Sequence, residues 1–234
     1  LCGHEVEKMS KSKYNVQTPD NLVEDFGADT LRLYEMFLGP LEQFKPWDVK
    51  GINGVHNFLR KFWRLLHDIE NNFAVSEEKP TKENYKTLHK TIKKVEEEIE
   101  RYSFNTVVST LMICVNEFTE QKCSKREIIT DFTILLSSYA PHISEEIWSK
   151  LGNENSVTKA SFPVFNLSYL VENEVNYPVS FNGKMRFKIT LPAEMTKEHV
   201  EVEVMKHEKT AHYLEGKSPK KIIVVPKRIV NIVM

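Results

Sequence analysis

Apolar residues recur every three or four positions through the middle of the chain, a spacing that predicts amphipathic helices. Four such stripes are separated by short polar stretches, and a short fifth helix is predicted from Pro141 to Gly152. Stripes as wide as these bury against one another, so residues 51–152 are predicted to form an antiparallel helical bundle. The four long stripes run over residues 55–69, 88–102, 104–118 and 128–139.

Beyond residue 178 the hydrophobic period changes to two, which predicts strands. Apolar residues alternate with Lys184, Arg186 and Lys188, and the preceding Asn182-Gly183 pair predicts a tight hairpin turn. A short helix capped by Thr196 follows, and then two further strands around Pro226-Lys227-Arg228. Residues 179–234 are therefore predicted to form a small α+β domain with the order ββ-α-ββ.

The remaining segments carry weaker signals. Thr18-Pro19-Asp20 and Gly27-Ala28-Asp29 predict the starts of short helices within residues 1–50. Residues 153–178 have few helical signals and are predicted to be a linker. Ser124 and Glu127 have the spacing of a capping box, which predicts the start of the last long helix. The predicted fold is mainly α with a small α+β C-terminal domain.

Composition narrows the classes of protein that the chain could represent. Of its 234 residues, 41% are hydrophobic and 28% are charged, as in ordinary soluble domains. No apolar run approaches the roughly 20 residues of a membrane helix, so no membrane association is predicted. The cysteines Cys2, Cys114 and Cys123 are scattered and form no metal-binding pair. We expect no metal site and a reducing, cytoplasmic location.

The net charge of −1 conceals an uneven distribution of charge. Residues 173–234 carry 11 Lys/Arg and 7 Asp/Glu, a local net charge of +4. A nucleic-acid surface would be favoured by such an excess, but a solvated basic tail accounts for it equally well. Charge alone leaves these two interpretations open.

Lys8-Met9-Ser10-Lys11-Ser12, hereafter the lysine–serine loop, is the strongest chemical motif. Two ammonium groups on a mobile loop can follow the negative charge that develops when ATP reacts with a carboxylate and pyrophosphate leaves. Serine hydroxyls and backbone N–H groups can bind the remaining phosphate oxygens. The residues by themselves indicate an anion-binding loop, and an ordinary exposed loop is the simpler alternative.

The lysine–serine loop resembles the KMSKS loop of class I aminoacyl-tRNA synthetases, and later motifs follow in the order found in leucyl-tRNA synthetases of bacterial type. These motifs span the chain and include a helical region similar to the family's anticodon-binding-type bundle. They are Gly27-Ala28-Asp29-Thr30-Leu31-Arg32, Leu38-Gly39-Pro40-Leu41-Glu42, Lys45-Pro46-Trp47, Gly51-Ile52-x-Gly54-Val55, residues 58–63, Phe104-Asn105-Thr106, residues 140–148, Asn182-Gly183-Lys184-Met185-Arg186 and residues 225–233.

The resemblance implies ATP-dependent attachment of leucine to leucine tRNA. Lys8 and Lys11 would act on the ATP phosphates, within an ATP-binding set of Lys8, Met9, Ser10, Lys11 and Ser12, and Mg²⁺ would accompany ATP in the full-length enzyme. Residues 1–50 would end the catalytic domain and contact a tRNA stem, and residues 51–152 and 179–234 would bind tRNA. The implied tRNA contacts are Lys184, Arg186, Lys220, Lys221, Lys227, Arg228, Arg60 and Arg64.

Only seven residues precede the lysine–serine loop, so we expect the C-terminal part of a larger monomeric enzyme that is inactive by itself. Tyr14, Phe187 and Lys227 stand where many members of the family have glycine, which implies a local difference in loop flexibility and tail geometry. A free-standing tRNA-binding module without catalysis is one alternative, favoured by the basic tail. A helical scaffold for protein partners is another, which the apolar stripes permit.

Overall fold

The computed structural model describes residues 7–48, 51–171, 174–214 and 216–234 and separates them into two compact units. The first unit extends to Leu170 and is helical, and the second runs from Val171 to Met234 and contains a sheet. The predicted combination of a helical bundle with a small α+β domain is confirmed.

The helical unit is built from seven helices among the described residues. They are α1 (Pro19–Phe26), α2 (Ala28–Phe37), α3 (Ile52–Leu65), α4 (Lys82–Glu100), α5 (Phe104–Glu120), α6 (Arg126–Ser137) and α7 (Pro141–Lys150). Their apolar stripes meet in one core, where Phe62, Phe118 and Phe132 are fully buried. The Phe132 ring meets Phe62 and Phe118 edge to face, with centroids 4.9 and 5.6 Å apart.

Asp29 joins two motifs that lie more than a hundred residues apart in the sequence. Its buried carboxylate accepts hydrogen bonds from the backbone N–H of His142 at 3.2 Å and of Ile143 at 2.7 Å. The His142 Nδ1 atom lies 2.8 Å from the same carboxylate. These N–H groups belong to the first turn of α7, which has no capping side chain of its own. A carboxylate from α2 therefore satisfies and stabilises the start of α7.

The capping box predicted for the last long helix is wrong. Helix α6 begins at Arg126 with Lys125 as its N-cap, and no side chain caps it. The Ser124 carbonyl accepts from the Ser76 N–H, and the Ser76 carbonyl accepts from the Arg126 N–H, in a short bridge between two loops. Because the N-cap is Lys125, Ser124 and Glu127 fall one position too early for a capping box. A capping box is present at α4 instead, between Thr81 and Asn84.

The α+β unit contains β1 (Glu174–Phe181), β2 (Lys184–Pro192), α8 (Lys197–Lys206), α9 (Glu208–Leu214), β3 (Lys221–Val225) and β4 (Ile229–Val233). The strand order is β2-β1-β4-β3. The central pair β1–β4 is parallel, and both outer pairs are antiparallel. Apolar residues of the sheet form a second core with Val200, Val204 and Leu214 from the helices.

The Asn182-Gly183 turn connects β1 to β2 as predicted, and it also ties β1 to β4. Both residues have positive φ, 48° and 81°, which Asn and Gly tolerate. The Asn182 N–H donates to the Ile232 carbonyl at 2.9 Å, and the Met234 N–H donates to the Asn182 side chain at 2.9 Å. The Gly183 N–H donates to the Asn231 side chain at 3.0 Å.

The segment predicted as a linker contains defined structure. Short 3₁₀ turns cover Val157–Lys159 and Leu167–Tyr169, and Val157 is buried against the helical unit. Strand β1 begins at Glu174 rather than near residue 179, because Val175 and Tyr177 already face the sheet core. The sequence signal is weak here because 3₁₀ turns are short and Pro178 interrupts the strand pattern.

Candidate nucleic-acid interface

The lysine–serine loop is folded around Asn15. Its backbone forms a 3₁₀ turn at Lys11–Lys13, and the Ser10 N–H donates to the Asn15 Oδ1 atom at 2.9 Å. The Asn15 amide donates to the Lys8 carbonyl at 3.4 Å, so one side chain binds the loop at two points. The turn closes at Tyr14, whose φ is 51°.

The loop exposes positive charge that nothing in the described chain neutralises. Lys8 and Lys11 are exposed, and no carboxylate of the described residues lies within 4 Å of either ammonium group. Lys13, in the same turn, instead forms an ion pair with Glu7 at 3.3 Å. The loop therefore offers two uncompensated ammonium groups, which suit an anion with several oxygens.

The resemblance implies glycine at Tyr14, Phe187 and Lys227, and the backbone favours glycine at two of these positions. Tyr14 and Lys227 have φ values of 51° and 58°, in the left-handed region that favours glycine. The Lys227 N–H is held there by the Tyr177 hydroxyl at 2.9 Å. Phe187 has no such φ; its side chain is buried against the His207 ring.

Arg60 and Arg64 lie one turn apart on the exposed face of α3 and line one open groove. We call it the α3 groove; its volume is about 740 Å³. Two further cations, Lys61 and Lys122, line it as well. The other lining residues are Asn57, Leu65, His67, Ala74, Thr119 and Ser124, so no carboxylate contributes to the wall.

The charge of the α3 groove is left uncompensated, in contrast to the adjacent loop bridge. Lys125 and Arg126 pair there with Glu78 and Glu77, the second pair at 2.6 Å. In the groove, Lys61 donates only to the neutral Asn116 side chain at 2.6 Å. Within the described ranges no carboxylate lies within 4 Å of the groove's four cations. Four cations beside the Asn57 and Ser124 side chains form a surface for an extended polyanion.

Lys61 and Lys122 are groove cations that were not predicted from the sequence. Lys61 follows Arg60 directly and could have been placed by its helical position. Lys122 lies in the turn after α5, where its φ is 51°, and it joins the groove only through packing of α5 beside α3. No local sequence signal predicts that contribution.

The predicted tail cations divide between two ends of the sheet. Lys184 begins β2, and Lys221 begins β3 directly after Lys220. The Lys220 N–H donates to the Val233 carbonyl, at the end of β4 beside the hairpin turn. All three lysines are exposed and therefore share the hairpin end of the sheet.

Lys227 and Arg228 lie at the opposite end, in the turn between β3 and β4. The five residues of β3 separate the two ends by about 13 Å at a strand rise of ~3.3 Å per residue. Both side chains are exposed. The six predicted tail contacts consequently do not form a single cluster.

Arg186 occupies a special position on the edge strand β2. The register shifts between Val179 and Ser180 of β1, which leaves Arg186 as the extra residue of a β-bulge. Its guanidinium carbon lies 5.3 Å from the centre of the Tyr213 ring of α9. The exposed guanidinium is thus oriented by an aromatic ring, and sequence periodicity gave no indication of that partner.

Other chemistry is limited among the described residues. No group of three or more His, Cys, Asp or Glu side chains in that part of the chain could hold a metal ion. Cys114 and Cys123 are buried and free, and burial raises the pKa of both thiols. Cys2 lies outside the described residues. No described helix is both long enough and apolar enough to span a bilayer.

Comparison with known families supports the geometric evidence. A family profile described as the anticodon-binding domain of tRNA ligase matches residues 82–203, more than half of the chain. The chain is 61% identical to the leucine–tRNA ligase of Christiangramia forsetii and 59% identical to that of Cytophaga hutchinsonii, over 233 and 234 residues. This chain belongs to the leucine–tRNA ligase family.

The chain spans about a quarter of the length of the leucine–tRNA ligases it matches, 24% and 25% for these two. A solved leucyl-tRNA synthetase from Agrobacterium radiobacter K84, in a ternary complex with tRNA and LeuAMS, has a similar fold. The TM-score is 0.69 at 28% identity, over 98% of this chain and 32% of that one. The family resemblance inferred from the sequence motifs is confirmed, and the roles of individual residues stay predictions.

Proposed function

We propose that this chain supplies the ATP-phosphate loop and the tRNA-binding surfaces of a leucine–tRNA ligase that activates leucine with ATP and transfers it to leucine tRNA. It acts as the C-terminal part of a monomeric cytoplasmic enzyme and is inactive alone. Residues 1–50 end the catalytic domain and contact a tRNA stem. Residues 51–152 and 179–234 bind tRNA, on either side of residues 153–178.

The α3 groove is the observation that carries the RNA-binding part of this proposal. Each Lys or Arg that neutralises a phosphate releases a condensed counterion, so binding weakens steeply as salt rises. Arg60 and Arg64 repeat along one helix face, and Lys61 and Lys122 widen the cationic surface. The wall of the α3 groove lacks carboxylates, and Asp29 lines only the neighbouring cavity that Arg60 and Arg64 also border.

The chemistry of the lysine–serine loop supports the ATP-binding part. Lys8 and Lys11 stabilise the charge that develops on the α-phosphate and on the departing pyrophosphate, with Mg²⁺ sharing that charge. The Met9 and Ser12 backbone and the Ser10 hydroxyl complete the phosphate contacts. Asn15 holds the loop closed through Ser10 and Lys8, and releasing those two hydrogen bonds lets the loop open for product release.

The groove is tested with the double variant Arg60→Ala/Arg64→Ala. We expect the dissociation constant for leucine tRNA, measured by filter binding from about 50 to 200 mM salt, to rise roughly tenfold or more. A plot of log affinity against log salt concentration should become less steep by nearly 2, because each arginine that neutralises a phosphate contributes about 0.9 to the slope. Lys79→Ala/Lys82→Ala is the control, since it removes the same charge from exposed positions outside the groove. Equal losses in both variants would contradict a specific groove.

The loop is tested in the full-length ligase by comparing Lys11→Ala with Lys13→Ala. Both lysines lie in one 3₁₀ turn, but only Lys13 is ion-paired. We expect ATP–pyrophosphate exchange to fall about 10²-fold or more for Lys11→Ala, because preorganised donors at developing charge contribute that much. Lys13→Ala should change it little. The 234-residue chain alone should show no exchange, and robust exchange would contradict its inactivity.

A further inference from the structure

A second open cavity shares Arg60 and Arg64 with the α3 groove. We call it the α2–α3 pocket; its volume is about 440 Å³, and its wall includes Thr30 of α2, His56 of α3 and Ile143 of α7. His56, Arg60 and Arg64 follow one another at four-residue intervals, so they form one ridge of α3 with a rise of about 6 Å per step. Two steps of this ridge are cationic, and the third carries an imidazole.

The His56 imidazole is held in place by two residues outside α3. Its Nδ1 atom lies 3.3 Å from the hydroxyl oxygen of Thr30, a residue that is buried in α2. The Phe26 ring at the end of α1 meets the imidazole edge to face, with centroids 5.7 Å apart and an interplanar angle of 77°. These contacts fix the orientation of a side chain that is still partly exposed in the pocket wall.

The Thr30 hydroxyl also determines which nitrogen of His56 carries the proton. Its single hydrogen is donated to the Phe26 carbonyl at 2.8 Å, so toward His56 the hydroxyl can only accept. The proton of the neutral imidazole is therefore on Nδ1, and Nε2 carries a lone pair. Among the residues that the structure describes, Nε2 has no hydrogen-bond partner. The ridge thus combines guanidinium donors with one oriented, unused acceptor.

The charges around the pocket favour different groups along it. Arg60 and Arg64 suit phosphate oxygens. Asp29, which precedes Thr30 on α2, adds to the same wall a carboxylate that repels phosphate but not a neutral hydroxyl. A lone pair on His56 requires a donor, and in an RNA strand the ribose 2′-hydroxyl is a donor joined closely to a phosphate. A-form RNA displays these hydroxyls in a wide, shallow minor groove that proteins reach.

We propose that the α2–α3 pocket is a ribose-binding subsite, in which His56 Nε2 accepts a hydrogen bond from one 2′-hydroxyl of leucine tRNA beside the phosphates that Arg60 and Arg64 bind. The inference rests on the proposed function, in which these two arginines contact tRNA. Phosphate contacts do not distinguish RNA from DNA, whereas a contact with the 2′-hydroxyl does. His56 therefore adds selectivity for ribose to a surface that otherwise responds to charge alone.

The test is 2′-deoxy interference mapping with the full-length ligase. Leucine tRNA transcripts that carry 2′-deoxynucleotides at random positions are bound to the ligase, and the positions depleted from the bound fraction are identified. We expect a depleted position that is lost with His56→Phe, because phenylalanine keeps a ring against Phe26 but has no acceptor. His199→Phe is the matched control, since His199 also lies beside a threonine hydroxyl but on α8. Identical maps for wild type and His56→Phe would overturn the proposal.

A cycle of single changes then tests the hydrogen bond itself. Leucine tRNA with one 2′-deoxynucleotide at the mapped position should bind the wild-type ligase about fivefold more weakly, as expected for one lost hydrogen bond. His56→Phe should bind unmodified tRNA about fivefold more weakly, and the 2′-deoxy change should then cost nothing further. His56→Gln carries a side-chain oxygen that can accept and should recover most of the affinity. Two fivefold losses that multiply would contradict a direct contact.

Salt dependence separates this inference from the proposed function. His56→Phe should leave the slope of log affinity against log salt concentration unchanged, because a hydroxyl contact releases no counterion. A less steep slope for His56→Phe would mean that the residue acts through phosphates, and the inference would fail. If Arg60→Ala/Arg64→Ala weakens tRNA binding but no 2′-deoxy position depends on His56, only the ribose subsite is wrong. If the arginine variant leaves tRNA binding unchanged, the proposed function itself is wrong.

Discussion

The helical unit and the α+β unit group their cations in opposite ways. Arg60 and Arg64 share a face because they are four residues apart on one helix. In the α+β unit, Lys221 and Lys227 are close in sequence yet lie at opposite ends of the sheet, while Lys184 and Lys221 share one end on its two outermost strands. Binding surfaces on helices thus depend on local structure, and those on this sheet depend on the pairing of β1 with β4.

That difference makes the two surfaces sensitive to different changes. A helix keeps its face for as long as its own turns persist, whereas the hairpin end of the sheet exists only when distant strands pair. Each unit also has its own apolar core, and the two lists of core residues do not overlap. Damage to one core is therefore expected to leave the other unit folded.

The largest expected effect follows from Phe132→Ala, which empties the centre of the helical core. Phe132 is fully buried and meets two other aromatic rings, so we expect the helical unit to lose about 3–5 kcal/mol of stability. Hydrogen exchange during denaturation should show the sheet amides unaffected. Loss of protection in both units at one denaturant concentration would show that the two cores unfold together.

Asp29→Ala removes the carboxylate that caps α7, and we expect it to destabilise the helical unit by about 2–3 kcal/mol. The variant loses two charge-assisted hydrogen bonds and leaves the N–H groups of His142 and Ile143 without a partner. Chemical denaturation followed by circular dichroism measures the change. Asp25→Ala is the matched control, because Asp25 is an exposed carboxylate on the neighbouring helix α1. A similar loss in both variants would mean that general charge matters rather than the cap.

Asn182→Ala should destabilise only the α+β unit, by about 1–2 kcal/mol. Alanine is strained at φ 48° and cannot accept from the Met234 N–H. Asn182→Gly tolerates the φ value and loses only the side-chain bond, so we expect it to fall between wild type and Asn182→Ala. The thermal unfolding midpoint of the α+β unit is measured for wild type and both variants. An equal decrease in the two variants would show that backbone strain at residue 182 does not contribute.

The smallest effect concerns pH and again belongs to the helical unit alone. Burial lowers the pKa of His89 from its ordinary 6.5, and the charge of Glu127 on α6 partly opposes that shift. Its aromatic neighbour Tyr85 stays neutral, because burial and Glu127 raise its pKa to about 12. Below pH 6.5 the unfolded chain therefore binds more protons than the folded chain, and stability falls as the pH drops.

His89→Gln should flatten this dependence, since glutamine accepts from Asn166 without titrating. Denaturation midpoints between pH 5 and pH 8 measure the difference between the variant and the wild type. Parallel curves for the two proteins would assign the pH dependence to other groups.

Sequence patterns predicted the parts of this fold whose information is local. The four apolar stripes, the Asn182-Gly183 turn and the i, i+4 spacing of Arg60 and Arg64 each depend only on residues close together in the sequence. The patterns could not predict contacts between elements that are distant in the sequence. Asp29 at the start of α7, Lys122 in the α3 groove and Tyr213 beneath Arg186 come from other elements, and only packing brings them together.

The parallel pairing of β1 with β4 has a consequence for protein synthesis. When a ribosome has completed β1 and β2 at Pro192, the central partner of β1 does not begin until Ile229, about forty residues later. At about 5–20 residues per second the nascent hairpin waits roughly 2–8 seconds with one edge of β1 open. During that interval the emerging chain depends on chaperones or on the ribosome surface to avoid wrong pairing.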